Sequence, residues 1–319
     1  MTDVTPPGSG RMAASDAMLP QRTVTYSGPL TDTNRWDLFQ ARENDIFVCT
    51  PPKCGTTWTQ AICAFLILDT NRLEGNLMGE ISPWIDDKGE SVDVRMEILE
   101  AQTHRRFIKT HTPLDGIPYF ENSAYLMVYR DPRDAYFSLR NHLFNMVAPV
   151  NFDIPQFAAN PRDGFRAWLE VPFEPGTGQH RSLEAFVHHF QSFWQFRHLP
   201  NFHFFHYLDM KKDLSAAIQR IADILQIPIS AKRLEELYQA ASFAEMKKSA
   251  SSFVPKISGA AVFKNEESFF SSGKNKQWAN VLTPEDIQHY NRRINQLLSP
   301  AEVAWLENGT LRVSATIEE

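Results

Sequence analysis

Short unbroken apolar runs alternate along this chain with longer stretches whose apolar residues recur every three or four positions. Asp45–Cys49 reads as a buried strand, and Arg106–Lys109, Ala124–Tyr129 and Phe202–Tyr207 read as further strands. The periodic stretches that follow three of them, Thr56–Leu68, Pro132–Phe144 and Lys211–Leu225, read as helices. Asp131 supplies an N-cap and Pro132 a first helical position for the second. Ser182–Arg197 is also helical, with Phe186, Phe190, Phe193 and Trp194 on one stripe that reads as core. Near the end, Thr283, Pro284 and Asp286 make a strong helix start. Strand followed by helix, repeated, predicts an α/β fold: a central, mainly parallel sheet flanked by helices.

One segment breaks the rhythm. Residues 146–181 are rich in Pro, Gly, Asn and Phe, and read as an insertion. Long loops in compact domains are often functional, so a lid over a pocket and a variable surface loop are both open. Nothing resembles a linker between domains. The expected organisation is a loose tail over residues 1–21 and a single domain over 22–319.

Composition narrows the class. With 319 residues, 43% hydrophobic and 22% charged, the chain suits a globular protein. The formal net charge of −6 argues against a general nucleic-acid binder. Cys49, Cys54 and Cys63 crowd together and cannot all pair, which points to a reducing compartment rather than a disulfide framework. The tail lacks the basic and apolar regions of a secretory signal, and the longest apolar run, Ala61–Leu68, is too short for a bilayer. The expectation is a cytoplasmic protein with no transmembrane segment.

Three motifs could carry chemistry. In TPPKCGTTWTQ (Thr50–Gln60), Gly55 turns a strand into a helix whose first amides lack partners. Those amides, the helix dipole, the hydroxyls of Thr56 and Thr57 and the charge of Lys53 favour an anion. No Lys follows Gly55, so this is not the nucleotide loop Gly-x-x-x-x-Gly-Lys-Ser/Thr. Cys54 as a phosphatase nucleophile would want an Arg where Gln60 stands. A plain turn with no ligand is the remaining alternative. In FIKTHTPLDGIP, His111 follows a strand end, where sites gather in open α/β sheets, and a neutral imidazole there can take a hydroxyl proton. In VYRDPRDAYFSLRNH, Arg130 ends a strand and can clamp phosphate with its planar fork, and Ser138 can complete the site. Arg133 and Asp134 read as a surface pair. His188 and His189 read as helix-face residues. No His, Cys and Asp cluster has metal spacing, so no metal is expected.

Together, in this order and spacing, these motifs resemble the cytosolic sulfotransferase family, which transfers a sulfuryl group from 3′-phosphoadenosine 5′-phosphosulfate (PAPS) and releases the desulfated nucleotide PAP. PKCGTTW matches the family's Pro-Lys-Ser-Gly-Thr-Thr-Trp; KTH and YRDPRDAYFS match the second and third motifs. FFHYLDMKKDL, ASFAEMKK and FFSSGKNKQWANVLT resemble later family segments. The likeness covers about Trp36–Leu298, and RRFIKTHTPLDG with SPWID looks similar to bacterial glycolipid sulfotransferases.

The resemblance implies a fold of this kind with a P-loop-like nucleotide site, and it implies roles. Lys53 and the amides of Cys54, Gly55, Thr56 and Thr57 would bind the 5′-phosphosulfate, with Lys53 also neutralising the leaving oxygen. Arg130 and Ser138 would hold the 3′-phosphate. Trp58 and Phe243 would sandwich the adenine, with Tyr207 and Ser242 as polar partners. His111 would be the general base, and Lys109 would lie near the transferring group. The chemistry is positioning and charge neutralisation, as in phosphoryl transfer.

This chain also departs from the pattern. Cys54 replaces Ser. Ser271 and Ser272 stand where the family has Arg-Lys before Gly273, which leaves Lys274 or Lys276 as substitutes at the 3′-phosphate. The family's dimer motif aligns with ANVLTPEDIQ, where only the Thr survives, so a homodimer stays open. The expected activity is sulfuryl transfer to a hydroxyl of an apolar small molecule, a phenol or alcohol, or a glycolipid. Residues 78–86 and 146–181 are expected to line an apolar acceptor pocket. The rivals are a nucleotide kinase, disfavoured by the missing lysine, and a protein that binds PAPS or PAP with little turnover, motivated by Ser271 and Ser272.

Overall fold

The computed structural model describes residues 19–147, 154–177, 181–254, 256–257, 260–265, 269–270 and 273–310. Most of the expected tail, and both Ser271 and Ser272, lie outside them. Four strands, β1 (Ile46–Cys49), β2 (Phe107–Thr110), β3 (Ala124–Tyr129) and β4 (Phe202–His206), form one sheet in the order β2-β1-β3-β4. All pairings are parallel, with Ile46 opposite Phe107 on one side and Ala124 on the other. Among the described residues the helices are α1 (Thr56–Ile67), α2 (Val92–Ala101), α3 (Pro132–Phe144), α4 (Pro161–Glu170), α5 (Leu183–Trp194), α6 (Tyr207–Lys212), α7 (Leu214–Ile224), α8 (Ala231–Ala240), α9 (Phe243–Lys248), α10 (Pro284–Leu297) and α11 (Pro300–Asn308). A short antiparallel pair, β5 (Lys256–Ile257) and β6 (Ala260–Ala261), follows α9.

The central strands β1 and β3 read as solid apolar runs because both faces of the sheet are covered. Successive side chains still alternate. Tyr125, Met127 and Tyr129 enter the layer that includes Phe137, Phe165, Phe190 and Tyr290. Leu126 and Val128 enter the layer that includes Phe65, Ile218 and Leu237. The chain leaves β1 for β2 on one side and later returns to β3 on the other. That reversal opens a crevice at the carboxyl end of β1. The residues just past all four strand ends converge there.

Two expectations change. The proposed helix over Lys211–Leu225 is two helices. Asp213 ends α6 and caps α7, its side chain accepting from the amide of Ala216. Of the described part of the insertion, Met146 lines the crevice, while the stretch from Pro155 to Glu170 packs into the core. Asn160 and Pro161 start α4, whose Phe165, Trp168 and Leu169 are buried with Phe157 in the main core. Arg162 and Arg166 both bond Asp286 of α10, at 2.8 and 2.6 Å. The prolines that suggested a loop begin a short turn at Pro155 and a helix at Pro161. Among the described residues, no helix is long and apolar enough to cross a membrane.

Candidate active site

The crevice holds a cavity of about 540 Å³. Each strand delivers one part of its wall. After β1, Lys53 adopts a left-handed backbone, φ 67°, and Gly55 another, φ 112°. Gly55 must lack a side chain twice over: its φ favours glycine, and a Cβ would meet the Tyr207 ring at 3.1 Å. No side chain caps α1, so its first amides stay available to an anion. Thr50 and Thr56 pin the turn through their hydroxyls, 2.5 Å apart.

After β2, His111 is buried, with Nδ1 2.7 Å from the Thr50 carbonyl. A carbonyl only accepts, so Nδ1 carries a proton, and in the neutral imidazole the lone pair then lies on Nε2. The Trp84 ring packs edge-on against the imidazole at 5.0 Å. Lys109 lies over the same Trp84 ring at 4.2 Å. Burial pushes its ammonium down to about 8, against the pull of Asp87 and Asp86. Asp86 fixes this segment from below, accepting from the hydroxyls of Thr110 at 2.7 Å and Thr112 at 2.6 Å.

After β3, Arg130 stacks over Tyr207 at 4.5 Å and donates to the Lys274 carbonyl at 2.7 Å. Its buried Nε has no partner among the described residues, a donor that suits an anion. Ser138 lines the cavity from α3. Arg133 and Asp134 are not the expected surface pair, because both are buried. Arg133 bonds Asp131 at 2.9 Å, while Asp134 accepts from the amides of Lys276 and Gln277. Asp134 thereby anchors the late loop beside Arg130.

After β4, Tyr207 meets Trp58 edge to face at 5.5 Å. Trp58 is oriented by a 2.8 Å bond from Nε1 to the Ala241 carbonyl. Phe243, 39% exposed, presents its ring at the cavity. Gly273, φ 61°, lies so close to Phe243 that a Cβ would come within 2.7 Å of the ring.

Of the residues expected from sequence, Lys53, Gly55, Thr56, Thr57, Trp58, Lys109, His111, Arg130, Ser138, Tyr207, Phe243 and Gly273 line this one cavity. Three do not. The Cys54 side chain is fully buried in the core, its thiol pushed up to about 12 by burial, so only its backbone faces the turn. Ser242 caps α9, accepting from the Glu245 amide at 3.3 Å. Lys274 meets Arg130 through its carbonyl, and its side chain is exposed outside the cavity wall.

The cavity also holds residues that the motifs did not single out. Lys211 donates to the Gly273 carbonyl at 2.7 Å. His142 lies 3.0 Å from Lys53. Phe263 and Phe269 form an apolar wall with Met146, and Met78 and Trp84 form another part of it; Met78, Trp84 and Met146 come from the two segments expected to line the pocket. Lys53 is pushed down to about 7 by burial, then by the charges of Lys109 and Arg130. A lysine so crowded by cations binds an anion readily, because the anion restores its favoured charge.

A parallel sheet thus brings an uncapped helix start, two lysines, an arginine and an imidazole together in one crevice at its carboxyl edge. The sulfotransferase domain family matches residues 43–301, and the chain belongs to that family. It is a sulfotransferase. A glycolipid sulfotransferase of Mycobacterium bovis is 35% identical over 311 residues, spanning 90% of this chain and 94% of that protein. Mouse sulfotransferase SULT7A1, solved with PAP, shares the fold at TM-score 0.66 and 21% identity, over 85% of this chain and 90% of that one. Retinol dehydratase, solved with androsterone and inactive cofactor PAP, matches at TM-score 0.65 and 21% identity, over 86% and 88%.

Proposed function

We propose that this enzyme transfers the sulfuryl group of PAPS to a hydroxyl of an apolar or glycolipid acceptor. The observation that carries the reading is the convergence of Lys53, Arg130 and the uncapped start of α1 with His111 in one cavity. The 5′-phosphosulfate would lie on the α1 amides and Lys53. The 3′-phosphate would engage Arg130 and Ser138, which separates this nucleotide from ATP. Trp58 and Phe243 would cover the adenine beside Tyr207. Ser242 would act through the placement of Phe243 rather than by contact.

In the transfer step, the acceptor oxygen bonds to sulfur as the bond from sulfur to the bridging phosphate oxygen breaks. Nε2 of His111 takes the acceptor proton. Lys53 meets the charge that develops on the departing PAP, and Lys109 the charge on the sulfuryl oxygens. No metal is needed for this chemistry.

The acceptor half is apolar where Phe263, Phe269, Met78 and Met146 line it, with Asp87, Glu90 and Arg95 also on the wall. That mixture suits an acceptor with a greasy body and a hydroxylated head. The name of the mycobacterial relative supports a glycolipid. Incubation with labelled PAPS and a panel of phenols, sterols and glycolipids, read by mass spectrometry, tests the reading. A sulfated glycolipid is expected. Tight PAP binding with no product from any acceptor would replace the enzyme reading by nucleotide binding alone.

A further inference from the structure

Helix α3 carries Ser138 and His142 at i and i+4, on the face that lines the cavity. His142 Nδ1 lies 3.0 Å from Lys53 Nζ. When Lys53 carries its proton it only donates, so this nitrogen then accepts and the other ring nitrogen holds the proton. The imidazole is fixed by aromatic rings, Phe263 at 4.7 Å and Phe269 at 5.6 Å. Phe269 also lies beneath the ammonium, 5.1 Å from Nζ. Among the described residues, His142 is the one hydrogen-bond partner of the Lys53 side chain.

That bond solves a mechanical problem. The turn fixes the Lys53 backbone, but a four-carbon stem leaves its tip free to rotate unless something holds it. A lysine that must meet a leaving oxygen needs its charge at one place. We propose that His142 is a positioning residue for Lys53. It takes one ammonium hydrogen and leaves two for the sulfuryl donor.

The role requires a neutral imidazole, since a protonated ring has no lone pair to offer. Burial and the facing charges of Lys53 and Lys109 hold His142 well below the usual histidine range, so it stays neutral. The groups facing Lys53 are His142 from α3, Lys109 from β2 and Arg130 past the end of β3. The inference rests on the role proposed above for Lys53, and the test separates the two.

Two substitutions pull acceptor and packing apart. His142→Phe keeps a ring against Phe263 and Phe269 but has no acceptor. His142→Asn loses the ring, yet its Oδ1 falls where Nδ1 was. The structure predicts that His142→Phe lowers kcat about tenfold to a hundredfold, while His142→Asn stays within about threefold of the parent. PAP, which lacks the sulfuryl group, should bind all three proteins within about threefold. The pH dependence of Lys53 acylation, read by mass spectrometry, gives a second readout that needs no turnover. Losing an acceptor destabilises the ammonium, so the Lys53 midpoint should fall by about one unit in His142→Phe and hold in His142→Asn. An active His142→Phe with an unchanged Lys53 midpoint overturns the inference, as does a loss confined to His142→Asn. If the parent transfers nothing but the midpoints separate as stated, the positioning role stands and the proposed reaction falls.

Discussion

The Thr50 carbonyl and the His111 imidazole meet at 2.7 Å across the ends of two neighbouring strands. Thr50 follows β1 and His111 follows β2, and those strands are paired in register through Cys49 and Thr110. The bond therefore joins the turn after β1 to the proposed base. It fixes the tautomer that puts a lone pair on Nε2, and it makes the imidazole's position a property of the sheet.

Arg130 is the first point of test. Its fork reaches the Lys274 carbonyl while its plane stacks on Tyr207. A lysine reproduces the charge but neither the fork nor the stack. Arg130→Lys should weaken PAP binding by about tenfold to a hundredfold, corresponding to the loss of a charged hydrogen bond. Titration calorimetry with PAP and with adenosine 5′-phosphate checks it. The loss should appear for PAP and nearly vanish for the nucleotide without a 3′-phosphate.

Lys53 predicts a pH-dependent stability. Its folded value of about 7 lies below the ordinary 10.5, so the folded state disfavours a charge that the unfolded chain carries freely. The resulting destabilisation is full below pH 7 and fades as pH rises toward 10.5. Lys53→Met removes it. Thermal melts without nucleotide should show the variant above the parent in Tm at pH 6.5, with a gap that narrows steadily by pH 9.5. A gap of constant size would contradict the assignment.

Asp45 and Arg106 form a fully buried ion pair at 2.5 Å, each 1% exposed, at the edge of β1 and β2. Arg106 also donates to the Gln40 carbonyl and stacks on Phe39. Removing one partner strands the other charge in the interior. Asp45→Ala should destabilise the fold by about 3–5 kcal/mol, measured by urea unfolding.

Much of the fold was legible because it rests on local signals. The apolar runs at β1 and β3 and the capped starts of α3 and α10 match the expected residues closely. The places of the Gly55 turn, His111 and Arg130 at the cavity were legible because each follows a strand end directly. The rest depended on distance. His142 lies on an amphipathic helix, where a histidine reads as one more polar position; only the approach of Lys53 from 89 residues away gives it meaning. Lys211 gains its place through Gly273, 62 residues on. The periodicity of α4 was masked by the prolines and glycine around it, and its core role depends on Asp286 of α10 meeting Arg162 and Arg166. Cys54 occupies the family's Ser position, yet its side chain turns into the core, a direction that spacing alone cannot supply.

The central claim is that His111 is the base in sulfuryl transfer from PAPS. The most direct measurement compares the parent with His111→Ala: single-turnover product formation from labelled PAPS and a sulfatable glycolipid, alongside PAP affinity. The account predicts a loss of at least about a hundredfold in the transfer rate, with PAP affinity within about threefold. Transfer by His111→Ala at near the parent rate would contradict it.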